Sequence, residues 1–394
     1  MTQLLGIDDL EVAGKRVLVR ADLNVPLRDG DVVDDFRIRA SLPTIAALRE
    51  RGASVIVCSH LGRPKERDPS LSLAPVAVRL GELGGFDVAF TTAVVGPEVS
   101  STIADAGDSV VVLENTRFEP GETSNDPVLA DALAELADLF VLDAFGSAHR
   151  SHASTAGVAE RLRSAAGLLV VAETQALHRL LEATVHPYVV VLGGAKVRDK
   201  LGVIKALLPK VDAMLVGGGM CFTLLAADGY EVGNSLVDTE MMDEVREVLR
   251  AGGGGKIMLP TDIVVAESFD AGASNEVVST ASIPEDGFGL DIGPETQETY
   301  AAIVANSEQL FWNGPMGVFE WEAFQAGTKA IATAVADAPG FTVIGGGDSI
   351  AAVRQLGLED SIDHLSTGGG AGLELLEQGS LPVLDTLRRW VDGA

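Results

Sequence analysis

The chain is short of cysteine, of basic charge and of long apolar runs. Its two cysteines, Cys58 and Cys221, lie far apart and match no CxxC pattern, which excludes a disulfide framework and a cysteine-built metal site. They read as reduced, half-buried thiols. The longest apolar run, around Ala165 to Ala172, falls far short of the roughly 18–20 residues that a membrane span needs. The opening residues MTQLLGIDDL have no basic segment followed by an apolar one, so no signal peptide is expected and the chain is expected in the cytoplasm. Familiar phosphate and hydrolase motifs are missing too. GGGGKI at 252–257 has a lysine but lacks the first glycine and the Ser/Thr of GxxxxGK[ST], and no strict GxGxxG follows a strand. HExxH and GxSxG are also absent.

The charge balance is strongly acidic: 57 Asp and Glu against 29 Lys and Arg give a net charge of −28. Such a field repels nucleic acid and anionic membranes, so neither is expected as a partner. It also repels any polyanionic substrate, which means that a phosphate site must gather its cations locally. The chain through Ala172 has a net charge of −9 and the remainder −19, so the first part is the less acidic. Lysine supplies only 8 of the basic residues, which gives weight to any lysine beside a glycine-rich turn.

Short β-branched runs alternate with helical patterns. RVLVR (16–20), SVIVC (54–58), VVVLE (110–114) and LFVLD (139–143) read as buried parallel strands, with helices over 41–51 and 127–138 between them. The pattern restarts with strands in 187–194, 211–219, 256–260, 308–315 and 341–348. Two such series predict two doubly wound parallel-sheet (Rossmann-like) α/β domains. AETQALHRLLEAT (172–184) has Leu177, Leu180 and Leu181 on one helical face and reads as the connector. Glycine clusters at 193–194, 217–219, 345–347 and 368–370 directly follow predicted strands, where open α/β sheets bind ligands, and point to phosphate or nucleotide binding. Gly252–Gly255 precedes its strand and reads as a flexible loop.

In the first series, Arg37, His60, Arg63, Arg117 and Arg150 sit near strand ends and can converge on one edge, where guanidinium forks grip phosphate or carboxylate. Asp22 and Asn24 share a face of an extended segment and suit substrate hydroxyls. The plainer alternatives are turn formers for Asp22 and Asn24, a capped core histidine for His60, and surface charges for Arg20 and Arg39. In the second series, GGAKVRDK (193–200) predicts Lys196 and Lys200 one turn apart on the first turns of a helix, beside its electropositive end. Lys205 falls on another face and reads as solvated. VIGGGDS (343–349) offers backbone amides for phosphate and then Asp348, either a Mg²⁺ ligand or a helix N-cap. STGGGA (366–371) repeats the device, and WNGPMGVFEW (312–321) reads as an apolar wall followed by Glu320.

Nine segments carry a resemblance: KRVLVRADLNVPL, DFRIRASLPTI, SHLGRP, LENTRF, FGSAHRSHAS, VLGGAKVRDK, WNGPMGVFE, GGGDS and STGGGA. In this order and over nearly the whole chain, they resemble the signature segments of the phosphoglycerate kinase family. The resemblance implies two domains facing each other across a cleft: 1–171 for the phosphoglycerate, 172–184 as connector, 185–378 for the nucleotide, and 379–394 packing back toward the first domain. It implies that Asp22, Asn24, Arg37, His60, Leu61, Gly62, Arg63, Arg117 and Arg150 hold 3-phosphoglycerate or 1,3-bisphosphoglycerate. Arg37 and Lys196, with the amides of Gly346 and Gly369, would neutralise the transferring group. Gly194, Ala195, Gly218, Gly219, Gly289, Asn313, Pro315 and Glu320 would shape the ADP/ATP site. Lys200 and Gly345, Gly346, Gly347, Asp348 and Ser349 would serve its phosphates, with Mg²⁺ on Asp348. Ser147, Ser151 and Phe36 depart slightly from the family pattern. A monomer is expected. The competing readings are a non-catalytic nucleotide or sugar-phosphate sensor on the same fold, and an NAD-dependent dehydrogenase, which the missing fingerprint disfavours.

Overall fold

The computed structural model describes residues 4–252 and 255–391, so the middle of the glycine run at 252–255 lies outside the described residues. Two compact units divide the chain. One runs as far as Gln175 and resumes at Ser380; the other is Ala176–Gly379.

In the first unit, β1 (Arg16–Ala21), β2 (Ser54–Cys58), β3 (Val88–Phe90), β4 (Val110–Val112), β5 (Leu139–Asp143) and β6 (Ser164–Ala166) form one sheet in the order β3-β4-β2-β1-β5-β6. Every pairing in it is parallel. Val17, Leu18 and Val19 are buried on both faces of β1, as expected for a continuous apolar run between helical layers. The helix Phe36–Glu50 contributes Ile38, Ile45 and Leu48 to the core with Val55 and Val57 of β2. The chain fills the β2 side of β1 before crossing to β5 on the other side, which puts a switch in strand order between β1 and β5. The returning helix Pro382–Arg388 belongs to this unit. The Val383 N–H donates to the Ala148 carbonyl at 3.2 Å, and Trp390 Nε1 donates to the Ala159 carbonyl at 2.9 Å.

The helix Leu168–Glu182 begins earlier than the expected connector, and the division between units falls within it. In the second unit the parallel strands are β7 (Tyr188–Leu192), β8 (Ala213–Val216) and β9 (Ile257–Met258). After a separate antiparallel sheet of β10 (Asp262–Ala266), β11 (Asn275–Ser279) and β12 (Phe288–Ile292) come β13 (Gln309–Asn313), β14 (Phe341–Gly345) and β15 (His364–Ser366). The parallel order is β9-β8-β7-β13-β14-β15, so the chain winds outward from β7 and then restarts at β13 on its other side. The antiparallel sheet went unforeseen. Val264, Ala266 and Leu290 bury against Phe324 to give it a small core of its own. Cys58 and Cys221 are fully buried rather than half-buried, and burial pushes the Cys58 thiol up to about 12. Among the described residues no helix is long and apolar enough to cross a membrane.

Candidate functional site

Parallel strands present their carboxyl ends at one edge of a sheet, so in the first unit the loops after β1, β2, β4 and β5 gather there. Arg63, Arg117 and Arg150 from three of these loops line a cavity of about 480 Å³ with Lys65, Glu119 and His152. Arg117 donates from Nη1 to the Gly62 carbonyl, while its buried Nε has no hydrogen-bond partner. Burial, and then the neighbouring Arg150 and Arg20, lower the pKa of its guanidinium. Cations crowded this closely call for an anion between them.

The loop carrying Arg63 is pinned from both sides. Asn24 Oδ1 accepts the Gly62 N–H at 2.8 Å, and Asn115 accepts the Leu61 N–H at 3.1 Å while donating to the Leu61 carbonyl at 2.8 Å. Asp22, itself buried, takes the Arg37 Nη1 on both carboxylate oxygens at 3.1 Å. Asp22 and Asn24 thus brace neighbouring elements, and neither lines the cavity, nor does Arg37. His60 is buried with Nδ1 3.0 Å from Arg20 Nη2. Burial, then Arg20, Arg117 and Arg150, hold its pKa well below the usual imidazole range, so the ring is neutral. The alternative of Arg20 as a surface charge is overturned: its side chain is fully buried, because it lies within a strand covered on both faces. Arg39 does lie on the surface, paired with Asp35 at 2.8 Å.

The second unit builds its site from backbone. At the β7/β13 switch, the Gly193 N–H donates to the Asn313 carbonyl at 3.0 Å and the Gly194 N–H to the Pro315 carbonyl at 2.8 Å. The Met220 N–H donates to the Gly194 carbonyl at 2.9 Å, knitting a third loop to the pair. Gly218 sits there at φ +62°, and a Cβ on it would meet the Gly194 nitrogen at 2.5 Å; only glycine lets these backbones close up. This pinning overturns the helical placement of Lys196. Residues 194–200 run as loop and turn, and the helix Leu201–Leu207 begins only after Lys200, so the two lysines do not share a helix face.

Both lysines nevertheless line one polar cavity of about 260 Å³ with Gly194, Asn313, Gly346 and Asp348. Lys200 donates to Asn313 Oδ1, and burial lowers its ammonium to about 8 against the opposing pull of Asp199 and Asp348. Gly346 is the N-cap of the helix Gly347–Gln355, so Asp348 is a first-turn residue and not the cap. Its carboxylate is exposed and accepts no hydrogen bond from the described residues. Ser349 is buried and accepts the Gly314 N–H at 2.7 Å, bracing the WNGP turn. Gly345 closes β14, and Gly369, at φ +51°, is the N-cap of the helix Gly370–Gln378; neither lines this cavity.

Gly194, Ala195, Pro315 and Asp348 also line a second, more apolar cavity of about 460 Å³, which adds Gly218, Gly219, Gly289, Leu236, Phe288, Val318 and Glu320. Gly289 is required as glycine because a Cβ would enter the ring of Phe222. A polar lobe with cations and helix-end amides, sharing Gly194, Ala195, Pro315 and Asp348 with a neighbouring apolar lobe that carries Glu320, has the chemistry to take a phosphate tail, a base and a ribose. Among the described residues no cluster of three metal-ligating side chains exists. One free carboxylate beside a phosphate cavity does fit a Mg²⁺ that arrives on phosphate oxygens, since Mg²⁺ needs only one or two protein carboxylates.

The family model for phosphoglycerate kinase matches residues 7–379. The chain belongs to the phosphoglycerate kinase family. It is therefore a kinase whose reaction class is phosphoryl transfer to or from a carboxyl group. The chain is 57% identical over 396 residues to the phosphoglycerate kinase of Frankia alni, covering 97% of this chain and 99% of that one. It is 56% identical over 393 residues to that of Salinispora arenicola, with 97% and 98% covered. Among solved structures, phosphoglycerate kinase from Pyrococcus horikoshii matches with a TM-score of 0.88 at 32% identity, covering 99% of this chain and all of the other. The enzyme from Coxiella burnetii gives 0.85 at 39%, covering 98% of this chain.

Sequence reasoning missed several lining groups. Lys65, Glu119 and His152 border the arginine cavity; Asp199 borders the polar lobe; Leu236, Phe269 and Phe288 wall the apolar one. An unbroken apolar strand that ends in arginine was the available signal for Arg20. For Phe269 there was none, because it reaches the cavity from the loop between β10 and β11.

Proposed function

We propose that the enzyme transfers the acyl phosphate of 1,3-bisphosphoglycerate reversibly to ADP, holding the phosphoglycerate on the arginine cavity of the first unit and the Mg-nucleotide on the two-lobed cavity of the second. The observation that carries this reading is the second cavity, where Lys200 and Asp348 stand at a polar lobe joined to an apolar one. Arg63, Arg117 and Arg150 supply the fixed positive charge that a bisphosphorylated acid requires.

The chemistry asks little of the protein. A β-phosphate oxygen of ADP is ionised at neutral pH and attacks phosphorus directly. The bond from phosphorus to the acyl oxygen breaks, and the electron pair leaves on the 3-phosphoglycerate carboxylate. No general base is needed. What remains is alignment and neutralisation of the moving group, which we assign to Arg37, Lys196 and the amides at Gly346 and Gly369. Asp348 would hold the Mg²⁺ that the nucleotide brings, a charge that offsets the phosphate oxygens. Because the two substrates belong to different units, we assign alignment of the pair and exclusion of water to closure of the units on binding both.

A coupled assay with 3-phosphoglycerate, ATP and Mg²⁺ tests the reading, with separate titration of each ligand. The expected result is turnover that needs all three. Tight binding of nucleotide without turnover would make the chain a sensor instead. For the motion, small-angle scattering should give a smaller radius of gyration with both substrates than with either alone; the same value in every state would rule it out.

A further inference from the structure

Beneath the arginine cavity lies a chain of buried polar groups that the reaction does not use directly. Glu122, 1% exposed, accepts the Ser154 hydroxyl at 2.6 Å, the Ser154 N–H at 3.0 Å and the Thr116 hydroxyl at 3.1 Å. Ser154 Oγ in turn accepts Arg20 Nε at 2.8 Å. Arg20 also donates from Nη1 to the Ala21 carbonyl and from Nη2 to His60 Nδ1, the latter at 3.0 Å. None of the described carboxylates touches Arg20 directly, so its buried charge is balanced at one remove, through a hydroxyl.

The direction of each bond follows from the donor inventory. Arginine has no acceptor, so His60 Nδ1 must accept and the ring's one proton must lie on Nε2. Ser154 has one hydroxyl proton; it receives from Arg20 and therefore gives that proton to Glu122. Each step admits one arrangement only.

We propose that Glu122 is a positioning residue: through Ser154 it fixes Arg20, and Arg20 locks His60 as the neutral Nε2–H tautomer, so that His60 meets the phosphoglycerate as a directed hydrogen-bond donor and not as a cation. The substrate half of this statement rests on the proposed function; the tautomer half does not. Breaking the chain at Ser154→Ala leaves Arg20 Nε and Glu122 without their shared hydroxyl and frees the guanidinium to turn. Glu122→Gln keeps the size and the acceptor but removes the balancing charge.

The test is ¹⁵N NMR of histidine-labelled full-length protein without ligand, followed by kinetics. In the wild type, His60 is expected at neutral pH with a pyridine-like Nδ1 shift and a pyrrole-like Nε2 shift. Ser154→Ala should shift both toward a tautomer mixture. It should raise KM for 3-phosphoglycerate on the order of tenfold, as for loss of a hydrogen bond to a charged group, with KM for MgATP unchanged. Glu122→Gln should give the same pattern. A wild-type His60 that is protonated or carries its proton on Nδ1 overturns the proposal. So does a Ser154→Ala protein with wild-type His60 shifts, or one whose two KM values rise together. If Glu122→Gln does not fold, the wild-type tautomer and Ser154→Ala still decide. A protein with the expected tautomer but no turnover of 3-phosphoglycerate would leave the lock in place and defeat the functional reading instead.

Discussion

The two units answer the same electrostatic problem differently. A chain of net charge −28 must still attract phosphates. The first unit does it with side chains: Arg63, Arg117 and Arg150 converge on one cavity, and Arg20 lies buried behind them. The second does it with backbone: glycine loops at the β7/β13 switch close together, and among the described lining residues Lys196 and Lys200 are the cationic side chains. Guanidinium forks grip a small rigid anion bidentately. Loop amides and helix ends follow a flexible phosphate tail without committing long side chains. Local architecture, not overall charge, decides where an acidic protein binds anions.

Four substitutions separate the side-chain site from the backbone-built one. The largest effect is expected at Arg37, which belongs to the first unit yet is assigned to the moving group. Arg37→Ala should lower kcat by about 10²–10³-fold, the size seen when one charge-stabilising donor is lost, with MgADP affinity retained. Steady-state kinetics beside calorimetric titration check this; equal losses in both would return Arg37 to ground-state binding.

Next comes Gly218, the test of the backbone-built site. Gly218→Ala places a Cβ 2.5 Å from the Gly194 nitrogen at a positive φ. Overpacking of this kind costs about 1–3 kcal/mol, and here it should appear as weaker nucleotide binding with 3-phosphoglycerate binding intact. Nucleotide affinity equal to wild type would mean that the loops need not close.

Lys200→Ala should weaken MgADP binding about tenfold, as for loss of a charged hydrogen bond. The wild type should also be pH-dependent, since burial lowers Lys200 to about 8. Above that pH the free protein holds the amine neutral, so binding the phosphates must take up a proton and affinity must fall. Below it the amine is already charged and affinity should level off. Titrations from pH 7 to 9.5 in buffers of different ionisation enthalpy would detect the proton uptake, and its persistence in Lys200→Ala would exonerate this lysine. The same shift has a stability sign. The folded pKa lies below the unfolded value near 10.4, so burying Lys200 costs stability at neutral pH and the cost is relieved as pH rises through about 8.

The smallest effect is expected at Asp348. Asp348→Asn keeps size and helix position but loses the charge offered to the metal. The Mg²⁺ concentration for half-maximal activity should rise several-fold with the melting temperature unchanged. An unaltered Mg²⁺ requirement would leave Asp348 as an ordinary first-turn carboxylate.

Local grammar made much of this legible. β1, β2 and β7 announce themselves as apolar β-branched runs, and β5 and the centre of β13 as short apolar ones, because a parallel strand covered on both faces has no polar side to confuse the pattern. Arg63, Arg117 and Arg150 could be grouped in advance because strand-end loops share an edge in such a sheet. The β10–β12 sheet was hidden: Gly289 and Asp291 interrupt β12, and β11 is mostly exposed, so neither shows a clean period.

By itself the sequence determined the strand-helix alternation, the strand-end positions of the arginines and the glycine clusters, since each depends on residues adjacent in the chain. Only the tertiary structure decided the rest. The parallel order put β7 beside β13 and so made one cavity from loops more than a hundred residues apart. Backbone hydrogen bonds across that switch kept Lys196 off the helix that its spacing had suggested. Burial turned Arg20 from an apparent surface charge into the donor that faces His60 Nδ1. Desolvation and long-range pairing are properties of what surrounds a residue, and no window of sequence contains them.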